Sequence, residues 1–139
     1  MSKTAREVMS GDPEWVRTDE TILDAAKKLA RLDIGALPIC GEDDRLKGML
    51  TDRDIVVKAL AAGKNPAETR AGDLAEGKPV TIGADDPVEE ALQTMIDHKV
   101  RRLPVIDGHT LIGIVSQGDL AKALDDAKVG ELVEAISSG

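Results

Sequence analysis

The chain contains itself twice. Shifting it by 66 positions sets Ile22 on Val88, Ala25 on Ala91, Leu29 on Met95 and Ile34 on Val100, and sets Leu37-Pro38-Ile39 on Leu103-Pro104-Val105. The turn that follows is one residue shorter in the second copy, and the shift becomes 65. Leu46 then falls on Leu111, Gly48 on Gly113, Thr51 on Ser116, Asp54 on Asp119 and Ile55 on Leu120. The lead-ins also correspond, Glu7-Val8 with Asp73-Leu74. A self-match at fixed period marks one supersecondary unit used more than once. A unit of this size buries too little surface to be comfortable alone, so two like halves must support each other.

Each copy carries the same order of signals. A short strand is expected around Trp15–Arg17 and around Val80–Ile82. Thr18 and Asp19 offer a helix cap in the first copy, and in the second Asp86 precedes Pro87, which suits the first helical position. Apolar residues then recur at helical spacing: Ile22, Ala25, Ala26, Leu29, and Val88, Ala91, Leu92, Met95. Two apolar strands follow, Ala36–Cys40 with Lys47–Leu50, and Leu103–Ile106 with Leu111–Val115, joined by polar turns. A second helix closes each copy, over Asp52–Ala62 and Gln117–Leu124. The pattern is β-α-β-β-α, an α/β (α+β) fold of two packed repeats. In chain order this gives residues 1–62 as the first repeat with its lead-in, 63–78 as a linker with room for one helical turn, and 79–125 as the second repeat. Residues 126–139 form a tail with Val129, Leu132, Val133 and Ile136 at helical spacing.

Composition removes several function classes. Twenty-six acidic against 18 basic residues give a net charge of −8, which repels nucleic-acid phosphate overall. One Trp, no Tyr and no Phe cannot build a stacking platform for bases. No apolar stretch is long enough to span a membrane and no apolar leader follows Met1, so the expectation is a cytoplasmic protein without membrane contact. Cys40 is the single cysteine, which precludes an intrachain disulfide and suits a small buried hydrophobe. His98 and His109 lack the spacing of a zinc pair, and Glu42-Asp43-Asp44 lacks the calcium-loop pattern, so no metal site is expected. No nucleophile–base string or phosphate loop is visible, and the chain reads as a non-enzyme.

The informative string is a Gly, two apolar residues, a hydroxyl, two variable residues, an Asp and an apolar residue. It occurs as Gly48-Met49-Leu50-Thr51-Asp52-Arg53-Asp54-Ile55 and as Gly113-Ile114-Val115-Ser116-Gln117-Gly118-Asp119-Leu120. A hydroxyl followed three residues later by an acid is a capping box, and capping alone can account for either copy. It does not exclude binding: a helix start favours phosphate, the hydroxyl can donate to a phosphate oxygen, and a carboxylate can accept from a ribose diol.

The two Leu-Pro strands, each followed by such a string, resemble the paired CBS domains named after cystathionine β-synthase. The resemblance spans about Ala5 to Leu124, and Ile34 to Gly41 with Gly48 to Val56 are similar to the stand-alone bacterial kind. It implies a pseudo-two-fold pair (a Bateman module), a homodimer, and clefts between the repeats. These would take AMP, ADP, ATP, NAD or S-adenosylmethionine as a regulatory ligand, with no cofactor required. It implies that Asp54 and Asp119 hold ribose and that Thr51 and Ser116 lie near phosphate. The cleft is lined by Gly35, Ala36, Leu37 and Pro38 in one copy, and by Arg101, Arg102, Leu103 and Pro104 in the other. Two arginines against Gly-Ala make the second copy the better anion site; Arg53 is read as solvated. Adenine would lie between aliphatic groups such as Ile34 and Val100. The expected function is a nucleotide sensor signalling to an unidentified effector protein. The alternative is a ligand-free stress-response dimer acting by protein contact.

Overall fold

The computed structural model describes residues 3–75, 79–124, 130 and 133–135. Most of the expected tail helix at 126–139 lies outside the described residues. The chain divides into two compact units, Glu14–Pro79 and Met1–Pro13 with Val80–Gly139. The repeat is therefore real, but the division does not follow chain order.

In the first-repeat unit, β2 (Val16–Arg17) runs parallel to β3 (Ala36–Cys40), which pairs antiparallel with β4 (Leu46–Thr51). Between them lies α2 (Ile22–Leu32), with Ile22, Ala25 and Leu29 buried on one face. β2 pairs only with Ile39 and Cys40, which leaves Pro38 beyond its end. A proline inside a three-stranded sheet is tolerated there because its missing N–H interrupts no ladder on that side. After β4 the chain enters α3 (Asp52–Asp54), which continues as a wider-wound π segment over Ile55–Leu60. Ile55 and Ala59 are buried, while Val56, Val57 and Leu60 face out.

The second-repeat unit repeats this plan with β5 (Ile82–Gly83), α4 (Val88–His98), β6 (Arg102–Asp107), β7 (Thr110–Ser116) and α5 (Gln117–Ala123). It gains a fourth strand from the chain's beginning. The helical turn α1 (Ala5–Val8) is followed by β1 (Ser10–Gly11), which pairs antiparallel with β7, giving the order β1-β7-β6-β5. Ala5 is fully buried among Val88, Met95, Leu103, Val115 and Leu120. Arg6 adds ion pairs to Asp85 at 3.4 Å and Asp107 at 3.2 Å, both exposed and so worth little.

The lead-in expected to belong with the first repeat thus completes the core of the second. The 63–78 segment behaves in the same way. It carries a 3-10 turn at Ala71–Leu74, the counterpart of α1, and buries Ala71 and Leu74 against Val16, Leu37 and Leu50 of the first repeat. Apolar burial drives both exchanges, since a fully buried Leu or Val is worth about 1.5–3 kcal/mol.

Two capping expectations also move. Thr21, not Thr18 or Asp19, caps α2: its Oγ1 accepts from Asp24 N at 3.1 Å while the Asp24 carboxylate accepts from Thr21 N at 3.2 Å. The reciprocal pair satisfies two orphan donors at once, and Thr21 is the residue just before the apolar stripe. Pro87 is extended and precedes α4 instead of opening it, and Asp86 accepts from Gly83 N at 2.8 Å. At the other end both long helices stop alike. Asp33 and Lys99 take left-handed φ of 53° and 54°, and the next N–H returns to Leu29 or Met95.

Candidate functional site

Each unit brings one hydroxyl string beside one Leu-Pro strand. In the first, Ala36 lies opposite Thr51 in the β3–β4 ladder, and Asp52 N donates to Gly35 O at 3.0 Å. In the second, Arg102 lies opposite Ser116, and Gln117 N donates to Arg101 O at 2.8 Å. The residues singled out from the sequence therefore meet in two sets: Gly35, Ala36, Thr51 and Asp54, and Arg101, Arg102, Ser116 and Asp119.

The other predicted residues sit differently. Leu37 and Leu103 have no exposed surface and belong to the two cores, and Pro38 and Pro104 are buried as well. Ile34 is 37% exposed and Val100 is half-buried against the core, so each keeps an aliphatic surface.

Both strings are capping boxes in fact. Thr51 Oγ1 accepts from Asp54 N at 3.0 Å, and Asp54 Oδ2 accepts from Thr51 N at 3.0 Å. Ser116 Oγ accepts from Asp119 N at 3.1 Å, and Asp119 Oδ2 accepts from Ser116 N at 2.8 Å. Each hydroxyl keeps its proton for donation, and each carboxylate keeps a second oxygen.

Beyond that shared frame the sites diverge. In the first, the Asp54 Oδ1 is taken by Lys58 Nζ at 3.3 Å, and Asp52 Oδ1 accepts from Arg53 N at 2.8 Å. In the second, Ala123 stands where Lys58 does, and Gln117 where Asp52 does. Asp119 Oδ1 and the Gly118 N–H have no partner among the described residues, and Arg101 and Arg102 are exposed with no acid paired to them there. The sequence reading gives Asp52 and Gly118 only as variable positions of the string and does not reach Lys58. The i,i+4 spacing of Asp54 and Lys58 was a usable signal; only the fold shows which oxygen it occupies.

The glycine of each string has a structural task. A Cβ on Gly113 would lie 2.8 Å from Ser10 O and press on Met9 Sδ, and one on Gly48 would lie 3.1 Å from Ala75 Cβ. These are the places where the exchanged lead-in segments cross β7 and β4.

Groups outside the two sets are quiet. Asp43 accepts from Arg45 N and pairs with Lys47, which holds its carboxyl below the usual range, so the acidic turn is partly self-neutralised. Cys40 is 1% exposed, and burial, with Asp44 and Asp43 nearby, pushes its thiol up from 9.0 to about 11. Being neutral in the fold, it adds stability that is fully present below pH 9 and is lost between about pH 9 and 11, as the unfolded thiol ionises first. Iodoacetamide at pH 8 is expected to leave Cys40 unmodified in the native protein and to label it in 6 M guanidinium (a denaturing level), as read by intact mass; fast native labelling would contradict its burial.

Among the described residues no three His, Cys, Asp or Glu side chains converge as a metal-binding group, and no helix is long and apolar enough to cross a membrane.

The CBS domain family profile matches residues 5–60 and 71–126. Hypoxic response protein 1 of Mycobacterium tuberculosis is 47% identical over 135 residues, covering 97% of this chain and 94% of that protein. A crystal structure of Hypoxic Response Protein I with two coordinated zinc ions superposes with a TM-score of 0.83 at 49% identity, over 88% of this chain and 100% of that one. CBSX2 in complex with AMP gives 0.75 at 25% identity, over 86% and 94%. The CBS domain pair of protein MJ0100, in complex with 5′-methylthioadenosine and S-adenosyl-L-methionine, gives 0.75 at 28% identity, over 88% and 95%. The two matched segments are the two halves of the internal repeat, and the chain belongs to the CBS domain family as a tandem pair.

Proposed function

We propose that the protein is a non-catalytic regulatory module that binds an adenine nucleotide through its second repeat. One observation carries this reading: among the described residues, Arg101 and Arg102 stand exposed with no acid paired to them, beside a Ser116–Asp119 box whose outer carboxylate oxygen has no partner there. Two guanidinium groups bind a phosphate by charge-assisted, bidentate hydrogen bonds. The free Asp119 oxygen accepts from a ribose hydroxyl, and Ser116 O–H donates to the ligand. The AMP complex of CBSX2 and the adenosyl ligands of the MJ0100 pair support the ligand class. The chain has one Trp and no Tyr or Phe, and the base rests on aliphatic side chains, Val100 among them. The module works on an effector protein in the cytoplasm, and it does so by preferring one conformation when liganded.

A thermal-shift panel of AMP, ADP, ATP, NAD and S-adenosylmethionine tests this. A ligand at about 100 times its Kd adds about 2.7 kcal/mol, a rise of roughly 5–10 °C in midpoint for a chain of this size. Asp119→Ala is expected to abolish the shift while costing about 1 kcal/mol through the lost cap. No shift with any of the five at millimolar concentration, or a shift unchanged in Asp119→Ala, overturns the assignment.

A second reading has its own support. Val56, Val57 and Leu60 are 55%, 48% and 53% exposed along the helix that follows β4. Their counterparts in the second repeat are Ala121, Lys122 and Asp125. An apolar stripe confined to one repeat fits a homodimer contact, and a protein acting by contact alone would need only that.

A further inference from the structure

The two repeats share a frame, yet the first is filled by its own side chains. Lys58 Nζ sits 3.3 Å from Asp54 Oδ1, with the two side chains 36% and 20% exposed. That oxygen is the counterpart of the Asp119 oxygen assigned above to a ribose hydroxyl. An Asp followed four residues later by a Lys is the favourable orientation of such a helical pair. The Asp52 carboxylate accepts from Arg53 N at 2.8 Å, the counterpart of the Gly118 N–H. The same carboxylate lies 3.5 Å from the position a Cβ would take on Gly35. It therefore projects a negative charge where the second repeat presents Arg101 and Arg102. A phosphate arriving there would meet Asp52 and no arginine from the Leu-Pro strand. A ribose hydroxyl would have to displace an ammonium.

From this occupancy we infer that Asp52 and Lys58 act as built-in stand-ins for a ligand and close the first-repeat site, so that each chain takes one nucleotide, in its second repeat. The inference rests on the nucleotide reading above. Asp52 and Lys58 are positioning and specificity residues in this scheme: they touch the groups a ligand would use, and the second repeat differs from the first by having Gln117 and Ala123 in their places.

Backbone amide spectra of isotope-labelled full-length protein titrated with AMP separate the outcomes. In the wild type, cross-peaks of Arg101 to Leu103 and Ser116 to Asp119 are expected to move, and those of Thr51 to Asp54 to stay. In the fourfold variant Gly35→Arg, Ala36→Arg, Asp52→Gln, Lys58→Ala, which gives the first repeat the residues of the second at these four positions, both sets are expected to move, whereas with Gly35→Arg and Ala36→Arg alone the first-repeat set is expected to stay. Movement of both sets in the wild type or in the arginine-only variant overturns the inference, as does a fourfold variant in which only the second-repeat set moves. Movement of neither set in the wild type instead overturns the nucleotide reading, and the one-site inference falls with it. The unliganded spectrum of the fourfold variant, unchanged outside residues 33–60, verifies that it folds.

Discussion

Gly113→Val is expected to destabilise the protein by about 3 kcal/mol, the upper part of the range for inserting bulk into a packed site. The position is not a turn and has no special backbone angle. Its hydrogen faces the lead-in where β1 crosses β7, and a Cβ there would sit 2.8 Å from Ser10 O and against Met9 Sδ. Valine adds two further carbons. Either β7 shifts out of register with β6, or the lead-in lifts away and Ala5, fully buried in the second-repeat core, leaves a hole there. Urea unfolding followed by circular dichroism measures the effect, and the midpoint temperature should fall by roughly 10 °C. Gly11→Val is the control, because nothing lies within 4 Å of a Cβ at that position. If Gly113→Val unfolds within about 0.5 kcal/mol of wild type, the span of ordinary surface changes, the lead-in does not hold the second repeat as described.

Reversing both arginines, Arg101→Glu with Arg102→Glu, is expected to weaken AMP binding by at least about 100-fold. A hydrogen bond to a charged group is worth about 1.5–3 kcal/mol, and two reversals add repulsion to the loss. Stability should hardly change, because both side chains are exposed and pair with no acid among the described residues. The wild-type affinity should also fall with added salt, and the variant's residual affinity should fall less. Calorimetric titration at two ionic strengths checks both points. An affinity within about threefold of wild type (under 1 kcal/mol) would show that the arginines are solvated strand-end charges, the bland role such residues usually have.

Much of this architecture is written in the residues. Apolar spacing gave α2 and α4 their buried faces, and the repeat gave two hairpins in which Arg102 and Ala36 stand opposite their hydroxyl partners. The capping boxes at Thr51 and Ser116 are local, made between residues three apart, so a linear reading reaches them. Thr18 and Asp19 are as good caps as Thr21 in isolation; what selects Thr21 is the packing of Ile22 beneath it.

The sequence by itself determined what depends on short range: two copies of a β-α-β-β-α unit, the faces its helices bury, and the box that starts each closing helix. The tertiary structure alone decided which unit each lead-in completes, because Ala5 and Leu74 gain burial in the core of the repeat other than the one they precede. It also decided why Gly48 and Gly113 are glycine, since a close crossing of segments far apart in the chain leaves no trace in either segment. And it separated two sites of matching residue type. Asp54 and Asp119 read alike in sequence, and only the fold shows that Lys58 pairs with the outer oxygen of the first and that Asp52 accepts from the amide beside it.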